Sequence, residues 1–374
     1  MNTPIAPSAP SVDVIIPVYN APELTKRCID SAVTVLGQSI RTIYIQDDAS
    51  DTETCAMLDH LYYQHLHVYH APENQGFGKS VNDAMARSDA DLVLVLNSDT
   101  EIHENFLPLL CEAFAADSEL AVISPVQDNF SKSKLECYQR RPGGYIATYR
   151  FQGYAFLIRR ALFVATGGFD AQFGRGYFED TDLGRRLIQQ GWRMGVHPDA
   201  CIYHAGGASF GRGRSYRLLA QRNRALYLSR YPEARRNILL VSGAHTLADL
   251  SAQLTDSIEQ ILRQGGGIHW LTLLPLPQLS CLQMRNGPAS IKMIIKLMLR
   301  GRSRADKRIS AVWILPGIPV LLRILLALFV RVRKLEMWKW EAGQLESAER
   351  LSDSWQNLSA KPVLKQEITK QNSE

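Results

Sequence analysis

The feature that most constrains the fold is a pattern repeated along the N-terminal third of the chain. A short apolar run breaks abruptly into polar residues, and a helix-like stretch follows. The runs are VDVIIPVYN, RTIYIQDDAS, HLHVYHA and DLVLVLNSDT. Between them, residues 22–36, residues 52–62 and the segment FGKSVNDAMARS carry apolar positions at helical spacing. Strands alternating with helices predict βαβ units, hence an α/β fold built on a mostly parallel sheet. In such sheets ligands bind beyond the carboxyl ends of the strands.

Three of these strand ends carry groups suited to a site: Tyr19 and Asn20, Asp47 and Asp48, Asn97 and Asp99. Any one alone reads as a turn, because Asn and Asp are ordinary turn residues. Three on one edge of one sheet favour a site. Neither GxGxxG nor GxxxxGK[ST] occurs near these strands, which disfavours a Rossmann dinucleotide site and a P-loop. Carboxylates on a cleft floor suit a hard divalent cation, and a cation suits a diphosphate. The chemistry that follows is departure of a diphosphate leaving group with its growing charge neutralised.

Composition narrows the field. A formal charge of +5 over 374 residues is too small and too mixed to argue for nucleic acid. Six cysteines without a CxxC pair read as reduced thiols in a cytoplasm. The opening MNTPIAPSAP lacks the apolar core of a signal peptide, so export is not expected and residues 1–10 are expected to be disordered.

The segment YFEDTDLGRRLIQQG predicts a helix from about Glu179. Asp180 shares a stripe with Leu183 and Leu187 and so faces inward. Asp182 falls off that stripe, with Arg185 and Arg186 as solvated partners. An acid on the inner face of a first helical turn is costly unless something uses it. The plain alternative is that Asp180 only caps the helix.

The series VIIPVYN, QDDASDTET, ENQGFGKSVNDA, VLNSDT, GGFDAQFGRGYFEDTDLGRRLIQQGW and HAGGASF resembles, in order and spacing, the family 2 glycosyltransferases, particularly rhamnosyltransferase-like bacterial members. It covers about residues 11–230. The resemblance implies a GT-A (nucleotide-diphospho-sugar transferase) fold and an inverting transfer from a nucleoside-diphosphate-sugar to a hydroxyl of a growing cell-surface glycan of O-antigen, capsule or exopolysaccharide type. By the same resemblance Pro17 and Tyr19 line the nucleotide pocket, Asp48 meets the nucleobase with Asp47 beside it, and Asn74, Gly76 and Lys79 border the nucleotide-sugar. Asn97 and Asp99 occupy the DxD position, with Asn in place of the first acid. Asp99 and His204 would hold the metal, Mn²⁺ favoured over Mg²⁺ by the mixed donor set. Asp180 would be the general base, and Glu179, Gly168 and Asp170 would shape the acceptor pocket.

Gly206 to Arg224 is rich in glycine and arginine. It reads equally as a mobile flap, with Arg212, Arg214 or Arg217 near the diphosphate or an acceptor phosphate, or as a solvated basic loop. His60, His65, His67 and His70 have no carboxylate at ligand spacing and read as strand or surface residues. Residues 231–340 are expected to form a smaller α/β-to-helical extension, with a likeness to the opening βα unit of a GT-B domain. Residues 341–374 are expected to be a polar tail. The apolar run 311–330 is interrupted by Pro316, Gly317, Pro319 and Arg323, which predicts a buried strand, a turn and an amphipathic helix rather than a span. Basic residues upstream point to contact with an anionic inner membrane face, with a soluble core and, last, a true span as alternatives. A lipid-linked glycan acceptor and a cytoplasmic, peripheral location fit that reading. Two other classes stay open: a nucleotidyltransferase, which would release pyrophosphate, and a non-catalytic sugar-nucleotide-binding protein.

Overall fold

The computed structural model describes residues 9–129, 134–150, 152–206, 213–273, 275–299, 308–341 and 344–349. Arg212, the tip of the glycine-rich segment and residues 350–374 of the tail lie outside them. The N-terminal part runs β1 (Val12–Val18), α1 (Pro22–Ser31), β2 (Thr42–Asp47), α2 (Thr52–Asp59), β3 (Leu66–His70), α3 (Phe77–Met85), β4 (Leu92–Leu96), β5 (Thr100–Glu101), α4 (Leu107–Ala116) and β6 (Leu120–Gln127). It continues with β7 (Ile146–Thr148), β8 (Ala155–Arg159), α5 (Arg160–Ala165), α6 (Glu179–Gln189), β9 (Arg193–His204) and α7 (Arg214–Arg230). One nine-stranded sheet has the order β3-β2-β1-β4-β8-β6-β9-β5, with β7 also on β9. Strands β3, β2, β1 and β4 are mutually parallel, and β8 runs antiparallel to both β4 and β6.

Burial explains why β1 and β4 read as continuous apolar runs. Helices cover both faces of the sheet, so alternate residues enter different cores. Val14, Ile16 and Leu94 pack on one side, and Ile15, Val93 and Val95 pack on the other. This is the mostly parallel α/β architecture that the alternation predicts.

The C-terminal part is more than a truncated βα unit. It runs β10 (Asn237–Val241), α8 (Ala252–Arg263), β11 (Gly267–Thr272), β12 (Met284–Pro288), α9 (Ile291–Leu299), β13 (Ala311–Ile314), α10 (Val320–Arg333), β14 (Glu336–Glu341) and β15 (Gln344–Glu349). These strands form a six-stranded sheet in the order β12-β11-β10-β13-β14-β15, parallel except for β15. The chain beyond Glu341 thus contributes a strand where a loose polar tail is expected. The two sheets are joined where Gln283 Oε1 accepts from the Tyr149 backbone N–H at 2.6 Å.

The run 311–330 resolves into β13, a turn at Gly317 (φ +82°) and α10. Val320, Leu321, Ile324, Leu328 and Val332 of α10 are each more than half exposed. Among the described residues no helix is long and apolar enough to cross a membrane.

Candidate active site

A cavity of about 480 Å³ opens at the carboxyl ends of β1, β2 and β4, between that sheet edge and the N-terminus of α6. β1 delivers Pro17 and Tyr19, the turn after β2 delivers Asp48, and the loop before α3 delivers Asn74 and Gly76. The turn after β4 brings Asn97 and Asp99, α6 brings Glu179 and Asp180, and the end of β9 brings His204. Side chains as far apart in sequence as Pro17 and Tyr216 thus share one wall system.

Backbone packing sets these positions. Gly76 has φ +91°, and a Cβ there would lie 2.3 Å from the Arg175 Cα. Only glycine lets the loop before α3 lie against the loop that leads into α6. Asp48 is buried and accepts from the backbone N–H groups of Gln75 (2.7 Å) and Gly76 (2.8 Å). Burial raises its carboxyl above the usual range, against the lowering effect of those two bonds. The Asp99 turn is fixed by β5, which pairs Thr100 with His204, and by the Ala205 N–H donating to the Asp99 carbonyl at 3.0 Å.

At this end of the cavity Asp99 Oδ1 and His204 Nε2 are 3.2 Å apart. Adjacent ligands of an octahedral Mg²⁺- or Mn²⁺-sized ion are about 3 Å apart, so the pair suits such an ion. Asn97 Oδ1 lies buried on the same wall without a hydrogen-bond partner among the described residues, an acceptor left over for a cation. Gln127 Nε2 donates to His204 Nδ1 at 2.8 Å, and Tyr154 stacks on the imidazole with centroids 5.2 Å apart. Turning the Gln127 amide over lets Nδ1–H donate to its oxygen and frees Nε2 as a ligand. The residues present therefore fit a divalent ion.

The first turn of α6 lines the same cavity. It is entered through Tyr177 (φ +72°) and Phe178 (φ +75°), two consecutive non-glycine residues in the left-handed region. Each costs about 1–2 kcal/mol, strain that persists only where the surroundings enforce it. Fully buried Asn223 of α7 enforces it, donating from Nδ2 to the carbonyls of Phe173 (2.6 Å), Gly176 (2.7 Å) and Tyr177 (3.1 Å). The N-cap is Phe178, with no side-chain cap, so Asp180 is not a cap. It stands in the first turn, where Asp180 Oδ1 accepts from the Thr181 N–H at 2.6 Å and Oδ2 lies against Gly153. Burial and the adjacent Asp180 push Glu179 up to about 8, and burial raises Asp180 too, against the lowering bonds from Thr181. Glu179 Oε2 has no partner among the described residues.

Other expected residues lie elsewhere. Asp47 points to the side of β2 away from the cavity, because successive strand residues alternate, and it meets His70 instead. Lys79 pairs with Asp83 one helical turn on, outside the cavity lining. Asp170 accepts from the Gln172 N–H at 2.8 Å and pairs with Arg230 at 2.8 Å, and the Gly168 carbonyl accepts from Arg186 Nη2 at 2.7 Å. These two support the loop before α6 and do not line the cavity. Asp182 reverses the expectation of a solvated acid: it is 1% exposed and binds Arg186 (2.8 Å) and Arg230 (3.1 Å). His70 likewise sits between two carboxylates, Asp47 and Asp59. Sequence reading passed over Gln152, Gly153, Tyr154, Arg175 and Tyr177, which line the cavity, and the Asn223 clamp. Tyr177 opens the YFED segment and Arg175 lies two residues before it, so both stand within a recognised motif. Gly153 and Asn223 carry no local signal.

Sheet order and site together define an α/β protein with an acidic cleft at the parallel carboxyl edge of its sheet. Residues 13–177 match the family model described as "Glycosyl transferase family 2". A pre-mycofactocin glycosyltransferase of Mycobacterium tuberculosis is 27% identical over 220 residues, covering 54% of this chain and 44% of its own length. An N-acetylglucosaminyl-diphospho-decaprenol L-rhamnosyltransferase of the same species is 34% identical over 97 residues, covering 26% of this chain and 29% of its own. The match thus spans less than half the length of either relative. Among solved structures, a mannosyltransferase from Pyrobaculum calidifontis in complex with GDP-Man and Mn²⁺ aligns with a TM-score of 0.48 at 20% identity, over 60% of this chain and 64% of that one.

Proposed function

We propose that the chain is an inverting glycosyltransferase that moves a sugar from a nucleoside-diphosphate-sugar to a hydroxyl of a growing glycan. The observation that carries this reading is one cavity lined both by a cation-suited Asp99 and His204 pair and by the adjacent acids Glu179 and Asp180. Asp48 and Tyr19 line the nucleotide side, and Arg175 adds a positive charge to the wall. Asp180 takes the proton of the acceptor hydroxyl as that oxygen bonds to the anomeric carbon. The bond from that carbon to the diphosphate breaks, and its electron pair leaves with the nucleoside diphosphate. One such displacement inverts the centre. Glu179, held neutral near pH 7, spares Asp180 a like charge beside it. A divalent ion on Asp99 and His204 would neutralise charge on the departing diphosphate.

The acceptor belongs at a membrane. The exposed apolar residues of α10 and those of α9 (Ile291, Ile295, Leu299) neighbour Lys292, Lys296, Arg323 and Arg331. That combination suits peripheral contact with an anionic cytoplasmic face. The decaprenol-linked name of one relative is in keeping with a lipid-linked acceptor.

The test compares two variants of the full chain. Asp180→Asn should abolish sugar transfer while donor binding, read by calorimetry, stays within about twofold. Asp99→Ala should weaken metal-dependent donor binding. Full activity in Asp180→Asn, or an unchanged metal requirement in Asp99→Ala, refutes the corresponding assignment.

A further inference from the structure

Outside the cleft, at the carboxyl ends of β2 and β3, three side chains of different chemistry converge. His70 Nδ1 lies 2.9 Å from Asp47 Oδ2, and Cys55 Sγ lies 3.6 Å from the same oxygen. The ligand atoms of Asp47, Cys55 and His70 all fall within 4.8 Å of one another. Regular elements hold each of them. Asp47 and His70 are direct partners in the β2–β3 ladder. Cys55 sits in the first turn of α2, whose N-cap Asp51 accepts from the Thr54 N–H at 2.9 Å. Asp47 is buried and its other oxygen, Oδ1, accepts from the Ser50 N–H at 3.2 Å, which leaves Oδ2 directed at the thiol and the imidazole.

We propose that Asp47, Cys55 and His70 form a Zn²⁺ site, with water in the fourth position. Tetrahedral zinc with ordinary bond lengths separates thiolate sulfur from carboxylate oxygen by about 3.6 Å, and imidazole nitrogen from carboxylate oxygen by about 3.4 Å. The first separation is already met. The second needs the partly exposed His70 ring to move outward by about half an ångström. A thiolate, an imidazole and a carboxylate together favour zinc over the harder Mg²⁺. The second shell is present as well: His70 Nε2 lies 3.2 Å from Asp59 Oδ1, so the nitrogen not on the metal donates to a carboxylate. Binding releases the thiol proton to solvent and ties β2, α2 and β3 together directly beside Asp48. The site is distinct from the Asp99 and His204 pair, which has no thiolate, and it does not depend on the proposed transferase activity.

The experiment uses the full chain, stripped with chelator and titrated with Co²⁺ as a spectroscopic stand-in for Zn²⁺. A near-ultraviolet thiolate-to-cobalt charge-transfer band should saturate at one equivalent and be bleached by added Zn²⁺. Cys55→Ser should lose the band, and Asp59→Asn should keep it with affinity lowered about 10–100-fold. Zn²⁺ should raise the melting temperature of the unmodified chain and leave that of Cys55→Ser unchanged. No charge-transfer band in the folded protein, or a band that persists in Cys55→Ser, overturns the proposal.

Discussion

Replacing Glu179 by Gln should stabilise the protein, and increasingly so as pH rises. Glu179 is 7% exposed, next to Asp180, and one of its oxygens has no partner among the described residues. Its carboxyl titrates near 8 in the fold against an ordinary value of 4.5. The folded chain therefore binds a proton that the unfolded chain releases between those two values. The group's contribution to stability is fully present below 4.5 and is lost as pH rises through about 8. At about 1.4 kcal/mol per pH unit, keeping Glu179 lowers stability by about 1 kcal/mol at pH 5 and about 4 kcal/mol at pH 8, relative to full protonation. Gln has the shape of the protonated acid and nothing to titrate. Urea unfolding followed by circular dichroism at pH 5 and pH 8 measures the difference between variant and parent, in which unrelated titrations cancel. The gap between the two proteins should widen by about 3 kcal/mol across that range. Parallel stability curves would refute the placement of a buried, protonated acid at the start of α6.

Three further outcomes follow from the geometry. Gly153→Ala would set a Cβ 2.8 Å from Asp180 Oδ2; it should lower kcat about a hundredfold with little change in donor affinity, and an unchanged kcat would free Asp180 from that contact. Asn223→Ala leaves the carbonyls of Phe173, Gly176 and Tyr177 without their shared donor, and should cost about 2–3 kcal/mol and speed hydrogen exchange in residues 173–178; unaltered exchange would discount the clamp. Ile324→Glu, on the exposed face of α10, should reduce co-sedimentation with vesicles containing anionic lipid, and equal partitioning of both proteins would remove the case for membrane contact.

How much of this was legible beforehand depended on the range of the interaction. The βαβ order and the carboxylates at strand ends are local patterns, written in runs of five to nine residues, and β1, β2 and β4 formed where those runs lie. The convergence of Asp48, Asn97, Asp99, Asp180 and His204 on one cavity was legible only through the spacing of several motifs taken together. What escaped was set by tertiary partners. Helical periodicity assigned Asp182 to solvent, but Arg230 and Tyr231, from the end of α7 and just beyond it, reach Asp182 Oδ1 at 3.1 and 3.2 Å and make burial affordable. His70 had no acid at ligand spacing in the sequence, yet strand pairing placed Asp47 directly opposite it.

The same logic explains why strain gathers where it does. Tyr177 and Phe178 could be replaced by glycine at lower backbone cost, yet aromatic side chains stand there and both line the cavity. The left-handed pair turns the chain so that α6 begins with its first-turn N–H groups and two acids facing the cleft. Helix N-termini favour the ionised carboxylate, while burial favours the protonated one. Burial raises both carboxyls, Glu179 to about 8, while the Thr181 N–H donated to Asp180 Oδ1 works against the rise at Asp180. The strained turn thus leads directly into the two acids that stand in the wall of the cavity.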